Sequence, residues 1–153
     1  MKAPVYADVV AAREFISRYL PKTPLVRSPK LSEALGCDYY LKLENLQPTA
    51  AFKVRGGVNL VGHDRNETGN EPLVTASTGN HGQSIAYAGR LFNTRVIIYA
   101  PAENVNQAKL QAMRDLGAEV RLHGRDFDEA RLETERVAAA EGFRYVHSAN
   151  EAQ

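Results

Sequence analysis

Lys53 lies in the run Glu44-Asn45-Leu46-Gln47-Pro48-Thr49-Ala50-Ala51-Phe52-Lys53-Val54-Arg55-Gly56-Gly57, and a second polar run, Ser77-Thr78-Gly79-Asn80-His81-Gly82-Gln83, follows it. A free lysine amine is protonated at neutral pH and is then no nucleophile. Burial beside apolar groups frees its lone pair, which can attack a carbonyl and form an imine. Phe52, Val54 and the following Gly56-Gly57-Val58 allow an apolar setting of that kind. For any lysine seen alone, a solvated helix position is the ordinary reading.

The second run follows a short apolar stretch and precedes a helical pattern. Backbone N–H groups at a helix start lack intrahelical partners and face outward with a favourable dipole. Two glycines let a ligand approach the backbone. Ser77, Thr78 and Asn80 add short polar side chains. The combination predicts a site for a carboxylate or phosphate, with a plain capped strand-to-helix turn as the alternative. His81 reads as a residue that orients the loop. The four histidines, His63, His81, His123 and His147, show no metal-ligand spacing.

The elements that must position these groups follow from pattern. Asp8 caps a first helix with Val9, Ala12, Ile16, Tyr19 and Leu20 on one face, stopped by Pro21. Residues 23–25 read as extended. Ser28-Pro29 starts a helix that Gly36 stops. Residues 38–43 alternate as a strand, 45–49 turn, and Thr49 is the expected cap of the helix carrying Lys53. Residues 63–71 read as a loop and as the domain boundary, dividing the chain into 1–62 and 63–153. Beyond it, strands at 73–76, 95–100, 118–122 and 143–146 alternate with helices at 79–92, 104–116 and 126–141. Asn104 with Gln107, and Asp126 with Glu129, have capping-box spacing. Ala130, Thr134, Val137 and Ala138 form an apolar stripe. The fold class is therefore α/β: a four-stranded parallel sheet flanked by helices, with ligands expected beyond the C-terminal strand ends.

The chain has 153 residues, 44% of them hydrophobic and 24% charged, with a formal net charge of +1. No Lys/Arg run or interleaved aromatic pattern points to nucleic acid or an anionic membrane. The longest apolar stretches, such as residues 96–100, are too short to span a bilayer, and the N-terminus lacks a signal-peptide pattern. A single cysteine, Cys37, forms no intrachain disulfide and reads as a small buried apolar residue. A cytoplasmic setting is expected.

Leu41 to Thr49 followed by Ala51-Phe52-Lys53-Val54-Arg55-Gly56 resembles the cofactor-lysine signature of fold type II pyridoxal phosphate enzymes, nearest the threonine dehydratase and serine racemase branch. Thr75 to Gln83 resembles that family's next motif. Thr23-Pro24-Leu25, Pro101 with Lys109, Gly117-Ala118-Glu119-Val120 and Tyr145-Val146-His147 fall in the family's order, so the resemblance covers essentially the whole chain.

The resemblance implies pyridoxal 5'-phosphate as cofactor, carried by Lys53 as a Schiff base, with Phe52 near its ring and Asn80 at its phenolic oxygen. Ser77, Thr78, Gly79 and His81 would surround the substrate carboxylate. The implied activity is a lyase of amino-acid metabolism. It would dehydrate and deaminate a hydroxy amino acid of the L-threonine or L-serine type to a 2-keto acid and ammonia, Lys53 removing the α-proton. A racemase, a β-replacement enzyme of the same fold and a non-catalytic fragment are the alternatives. The family usually has serine at position 51 and glycine at 50, where this chain has alanine. Thr78 stands where racemases place a serine and many dehydratases an alanine. Family members continue further, with a glycine-rich phosphate loop not found here. The chain is thus expected to be an N-terminal portion: a small lobe, residues 63–153, plus a segment of an incomplete large lobe in a tryptophan synthase β-like fold. Apolar surface left uncovered would favour a homo-oligomer, in particular a dimer.

Overall fold

The computed structural model describes residues 3–68, 71–149 and 151. Strands β3 (Leu73–Ala76), β4 (Val96–Ala100), β5 (Glu119–Leu122) and β6 (Arg144–Tyr145) form one parallel sheet in the order β5-β4-β3-β6. Helices α4 (Asn80–Phe92), α5 (Gln107–Asp115) and α6 (Phe127–Glu141) connect them.

Side chains alternate across the strands, and each set meets a different helical layer. Leu73, Val96, Ile98 and Val146 pack with Ile85, Ala88 and Met113, and with Val54, Val58 and Val61 of α3 (Lys53–Thr68). Val74, Ile97 and Tyr99 face Ala130, Val137 and Ala138 of α6. Ile85, Ile98 and Met113 are almost wholly buried, each worth roughly 1.5–3 kcal/mol of apolar transfer.

The N-terminal part holds α1 (Tyr6–Ile16), α2 (Pro29–Leu35) and a two-stranded antiparallel sheet of β1 (Leu25–Arg27) and β2 (Tyr40–Lys42). Both strands are exposed along their length. Asp8 sits in the first turn of α1 and accepts the Val5 N–H at 2.8 Å. Ile16 and Leu20 are buried, but Val9, expected on the same face, is 59% exposed.

Four local expectations are corrected. The loop predicted at 63–71 is helical as far as Thr68, because α3 continues without a break. Gly62 admits the rings of Phe15 and Phe92 against this helix, and Asp64 is buried where it meets Arg144. Positions 69 and 70 of that expected loop lie outside the described residues. Thr49 does not cap α3: its hydroxyl is buried without a hydrogen-bond partner, and Ala50 takes a left-handed conformation (φ 52°). Asn106, not Asn104, caps α5, its side chain accepting the Lys109 N–H, while Asn104 is left-handed (φ 53°). Cys37 is exposed rather than buried, since it follows the left-handed Gly36 at the end of α2.

Among the described residues, no helix is long and apolar enough to cross a membrane. No group of three or more His, Cys, Asp or Glu side chains is placed to hold a metal ion.

Candidate active site

Strand order reverses at β3. The chain moves outward through β4 and β5, then returns to β6 on the other side of β3. Loops leaving the C-terminal ends of β3 and β6 part there and open a crevice, the usual ligand position in open parallel sheets. The loop after β3 is residues 77–79, and the segment after β6 begins with Val146 and His147.

Lys53, the first residue of α3, borders this crevice. Its backbone is fixed by a close helix crossing. The Ser84 hydroxyl of α4 donates to the Lys53 carbonyl at 2.7 Å. A Cβ placed on Gly57 would stand 2.2 Å from Ser84 Oγ and 2.8 Å from the Ser84 carbonyl oxygen, so glycine is what permits the crossing. Lys53 Nζ donates to the Ser148 carbonyl at 2.9 Å. Val54 is fully buried, whereas Phe52 is 66% exposed. The cavity around the amine, about 200 Å³, is lined also by His81, Ser84, His147, Ser148 and Glu151.

A polar lock holds the start of α3 from the other side. Arg55 donates to both oxygens of Glu44, at 2.8 and 2.9 Å, and the Thr23 hydroxyl donates to Glu44 at 2.6 Å. The hydrogen bonds from Arg55, joined by Thr23 and the charge of Lys42, outweigh burial and lower the Glu44 carboxyl to about 2.

The loop after β3 has its own internal bonding. Ser77 is buried, and its Oγ accepts the Gly79 N–H at 3.2 Å and the Gly82 N–H at 2.8 Å. The N–H groups of Thr78, Asn80 and His81 have no acceptor among the described residues. Thr78 and Asn80 are exposed. The arrangement is three donors around a glycine at a helix start, which is suited to an anion.

His81 has a defined protonation. The Thr75 hydroxyl gives its one proton to the Val146 carbonyl at 2.7 Å. Toward His81 Nε2, 3.0 Å away, it can only accept. Nε2 therefore carries the hydrogen and Nδ1 the lone pair. Burial, and then the neighbouring Lys53 charge, lower the imidazole to about 4, with Glu151 opposing.

On the far wall, Arg144 joins Asp64 of α3 at 3.2 Å to Glu151 at 2.7 Å, and Glu151 accepts the His147 N–H at 2.5 Å. This clamp holds residues 147–151 against the lysine.

The fold thus brings Lys53 and His81 to one crevice, while Phe52, Thr78, Gly79 and Asn80 are not among the residues that line it. Ser77 serves as the internal cap of the loop. Sequence reasoning did not single out Ser84, Ser148, Arg144 or Glu151. Their one usable signal was position, in or just after the last strand or one turn into α4. These groups fit the aldehyde of the expected cofactor and the carboxylate of the expected substrate: an amine in a partly enclosed cavity, a neutral imidazole and unpartnered amide donors.

The family described as pyridoxal-phosphate dependent enzyme matches residues 16–153. Among curated proteins, the chain is 38% identical over 141 residues to the catabolic L-threonine dehydratase of Staphylococcus aureus, an alignment covering 92% of this chain and 40% of that protein. It is 37% identical over 144 residues to the L-threonine ammonia-lyase of Thermotoga maritima, covering 94% of this chain and 36% of the relative. The chain therefore spans about 40% of the length of the curated relatives it matches. Among solved structures, maize serine racemase superposes with a TM-score of 0.90 at 25% identity, over 98% of this chain and 45% of that one. Threonine deaminase isoform 2 of Solanum lycopersicum gives 0.84 at 30% identity, over 98% and 42%.

Proposed function

The chain belongs to the pyridoxal-phosphate dependent enzyme family, and from that membership we propose that it serves a dehydratase converting a hydroxy amino acid, of the L-threonine or L-serine type, to a 2-keto acid and ammonia. One observation carries the reading: the Lys53 amine lines one crevice with His81, which ends a loop whose Thr78, Asn80 and His81 amides have no acceptor among the described residues. The identity to threonine dehydratases supports the substrate class.

Pyridoxal phosphate, when bound, supplies an electron sink for the pair released at the substrate α-carbon. The rest is the work of this chain. Lys53 Nζ would hold the cofactor at its aldehyde carbon, and as a free amine it would take up the substrate α-proton. Amides of Thr78, Asn80 and His81 hold the substrate carboxylate, with Gly79 leaving the backbone accessible. Asn80 would hold the cofactor's ring oxygen, and Phe52 would pack near its ring. Neutral His81 keeps the loop in shape without adding a competing charge.

The same reading places the protein in the cytoplasm, supported by the single cysteine. It also makes the protein a homodimer, supported by exposed Leu25, Val26, Tyr40, Leu46 and Phe52. Light scattering across a concentration series checks the dimer, and a monodisperse monomer refutes it.

The central test adds pyridoxal phosphate to the purified chain, records the spectrum, reduces with borohydride and maps the labelled peptide. Absorbance near the visible edge and a label on Lys53 are expected, both absent in Lys53→Ala. An unchanged spectrum, or a label on another lysine, overturns the assignment. A chain that takes the label but leaves L-threonine and L-serine untouched supports the alternative of a binding unit without turnover.

A further inference from the structure

The Lys109 ammonium lies directly over the loop that follows β3. A Cβ built on Gly79 would stand 3.4 Å from Lys109 Nζ and 3.7 Å from its Cδ, so the missing side chain at 79 is the space this lysine occupies. Lys109 is the third residue of α5, where the helix dipole disfavours a cation, and that first turn contains no acidic residue. Among the described residues the ammonium forms no ion pair. Arginines of the same domain do find partners: Arg95 and Arg121 with Glu119, Arg131 with Glu135. The unpaired ammonium thus stands over Gly79, in a loop whose Thr78, Asn80 and His81 N–H groups have no acceptor among the described residues. The start of α4 and the Lys109 ammonium of α5 thus bring positive charge from two helices to the same loop, which suits an anion.

We propose that Lys109 is an anion-binding residue of the 78–81 cradle, reaching across from α5 to pair with a substrate carboxylate. The inference rests on the reading of that loop as the carboxylate site and adds a residue to it. A mobile lysine stem carries a point charge that can follow the ligand, whereas the backbone amides fix its orientation. Lys109 is exposed, so its replacement leaves the packing of α5 intact.

The test uses the ¹⁵N-labelled chain, titrated with acetate and, separately, with inorganic phosphate, following the amide resonances of Thr78, Asn80 and His81. Lys109→Met and Lys109→Gln should weaken acetate binding about tenfold, while Lys109→Arg stays within about twofold of wild type. Resonances outside the loop report whether each variant remains folded. Equal acetate affinity in Lys109→Met and wild type overturns the role of Lys109 while leaving the cradle standing. Loss of phosphate binding alone assigns the lysine to a phosphate and overturns the carboxylate assignment. If the three amides of the wild type respond to neither anion, the cradle itself fails, and this inference with it.

Discussion

Lys53 Nζ and the Ser148 carbonyl oxygen, 95 positions apart in the chain, meet at 2.9 Å. The contact exists because β6 pairs in parallel beside β3, which sends residues 147–149 into the crevice where α3 begins. The amine is thus held by a backbone acceptor and not by a carboxylate, a partner that leaves no net charge to separate when Nζ turns toward a carbonyl compound.

His81 should titrate near 4, well below the ordinary imidazole value. Lys53→Met removes a neighbouring positive charge and should raise it, and Glu151→Gln should lower it. Histidine Cε1–H shifts in an NMR pH series measure all three. The unfolded chain binds this proton near 6.5 and the folded chain only near 4, so stability falls as pH drops through that window. The upper bound is about 3 kcal/mol. A wild-type His81 titrating at 6.5 or above contradicts the buried, lysine-facing environment.

Thr75→Val leaves the Val146 carbonyl and the His81 Nε2–H without a buried partner. Urea denaturation should show a loss of about 1–3 kcal/mol, with Thr75→Ser closer to wild type. Equal midpoints for valine and threonine would show that the hydroxyl is dispensable.

Gly57→Ala should cost about 1–3 kcal/mol by overpacking the crossing of α3 and α4. Ser84→Ala should not rescue it, because the Ser84 carbonyl oxygen remains 2.8 Å from the new Cβ. Gly56→Ala meets nothing within 4 Å and should stabilise α3 by roughly 0.5–1 kcal/mol. Thermal unfolding of the pair decides; equal effects at the two positions would refute the close approach.

Glu44 is held near 2 by Arg55 and Thr23, so the stability it contributes is complete above its ordinary value and is lost as pH falls toward 2. Glu44→Ala should cost roughly 2 kcal/mol or more at neutral pH by stranding both donors. Glu44→Gln should flatten the acid limb of the stability profile, and an unchanged limb would place the titration elsewhere.

Much of this was legible in the sequence where local and tertiary signals agree. The strand at 73–76 stands at its predicted bounds, and Asp126 caps α6 above a stripe of Ala130, Thr134, Val137 and Ala138 that is buried throughout. Agreement failed where two local solutions compete. Asn104 and Asn106 are both competent caps, and only the left-handed backbone at Asn104 decides between them. It failed again at 63–68, where a polar stretch is kept helical by contacts far off in sequence, among them Phe15 on Gly62 and Arg144 on Asp64. Lys53 and the 77–81 loop were visible because their chemistry resides in side chains and glycines. The Ser148 acceptor was not, since a carbonyl oxygen is common to every residue type.

The order β5-β4-β3-β6 also governs assembly during synthesis. Strand β3 emerges first from the ribosome, and one of its edges stays without a neighbour while residues 77–143 are translated. An open edge of that kind is a template for intermolecular pairing, which makes this interval the time when the nascent polypeptide most needs a chaperone. Closure comes only with Arg144 and Tyr145, and the same event delivers the acceptor for Lys53. The reactive amine is therefore withheld from its finished surroundings until β6 has covered that edge of β3.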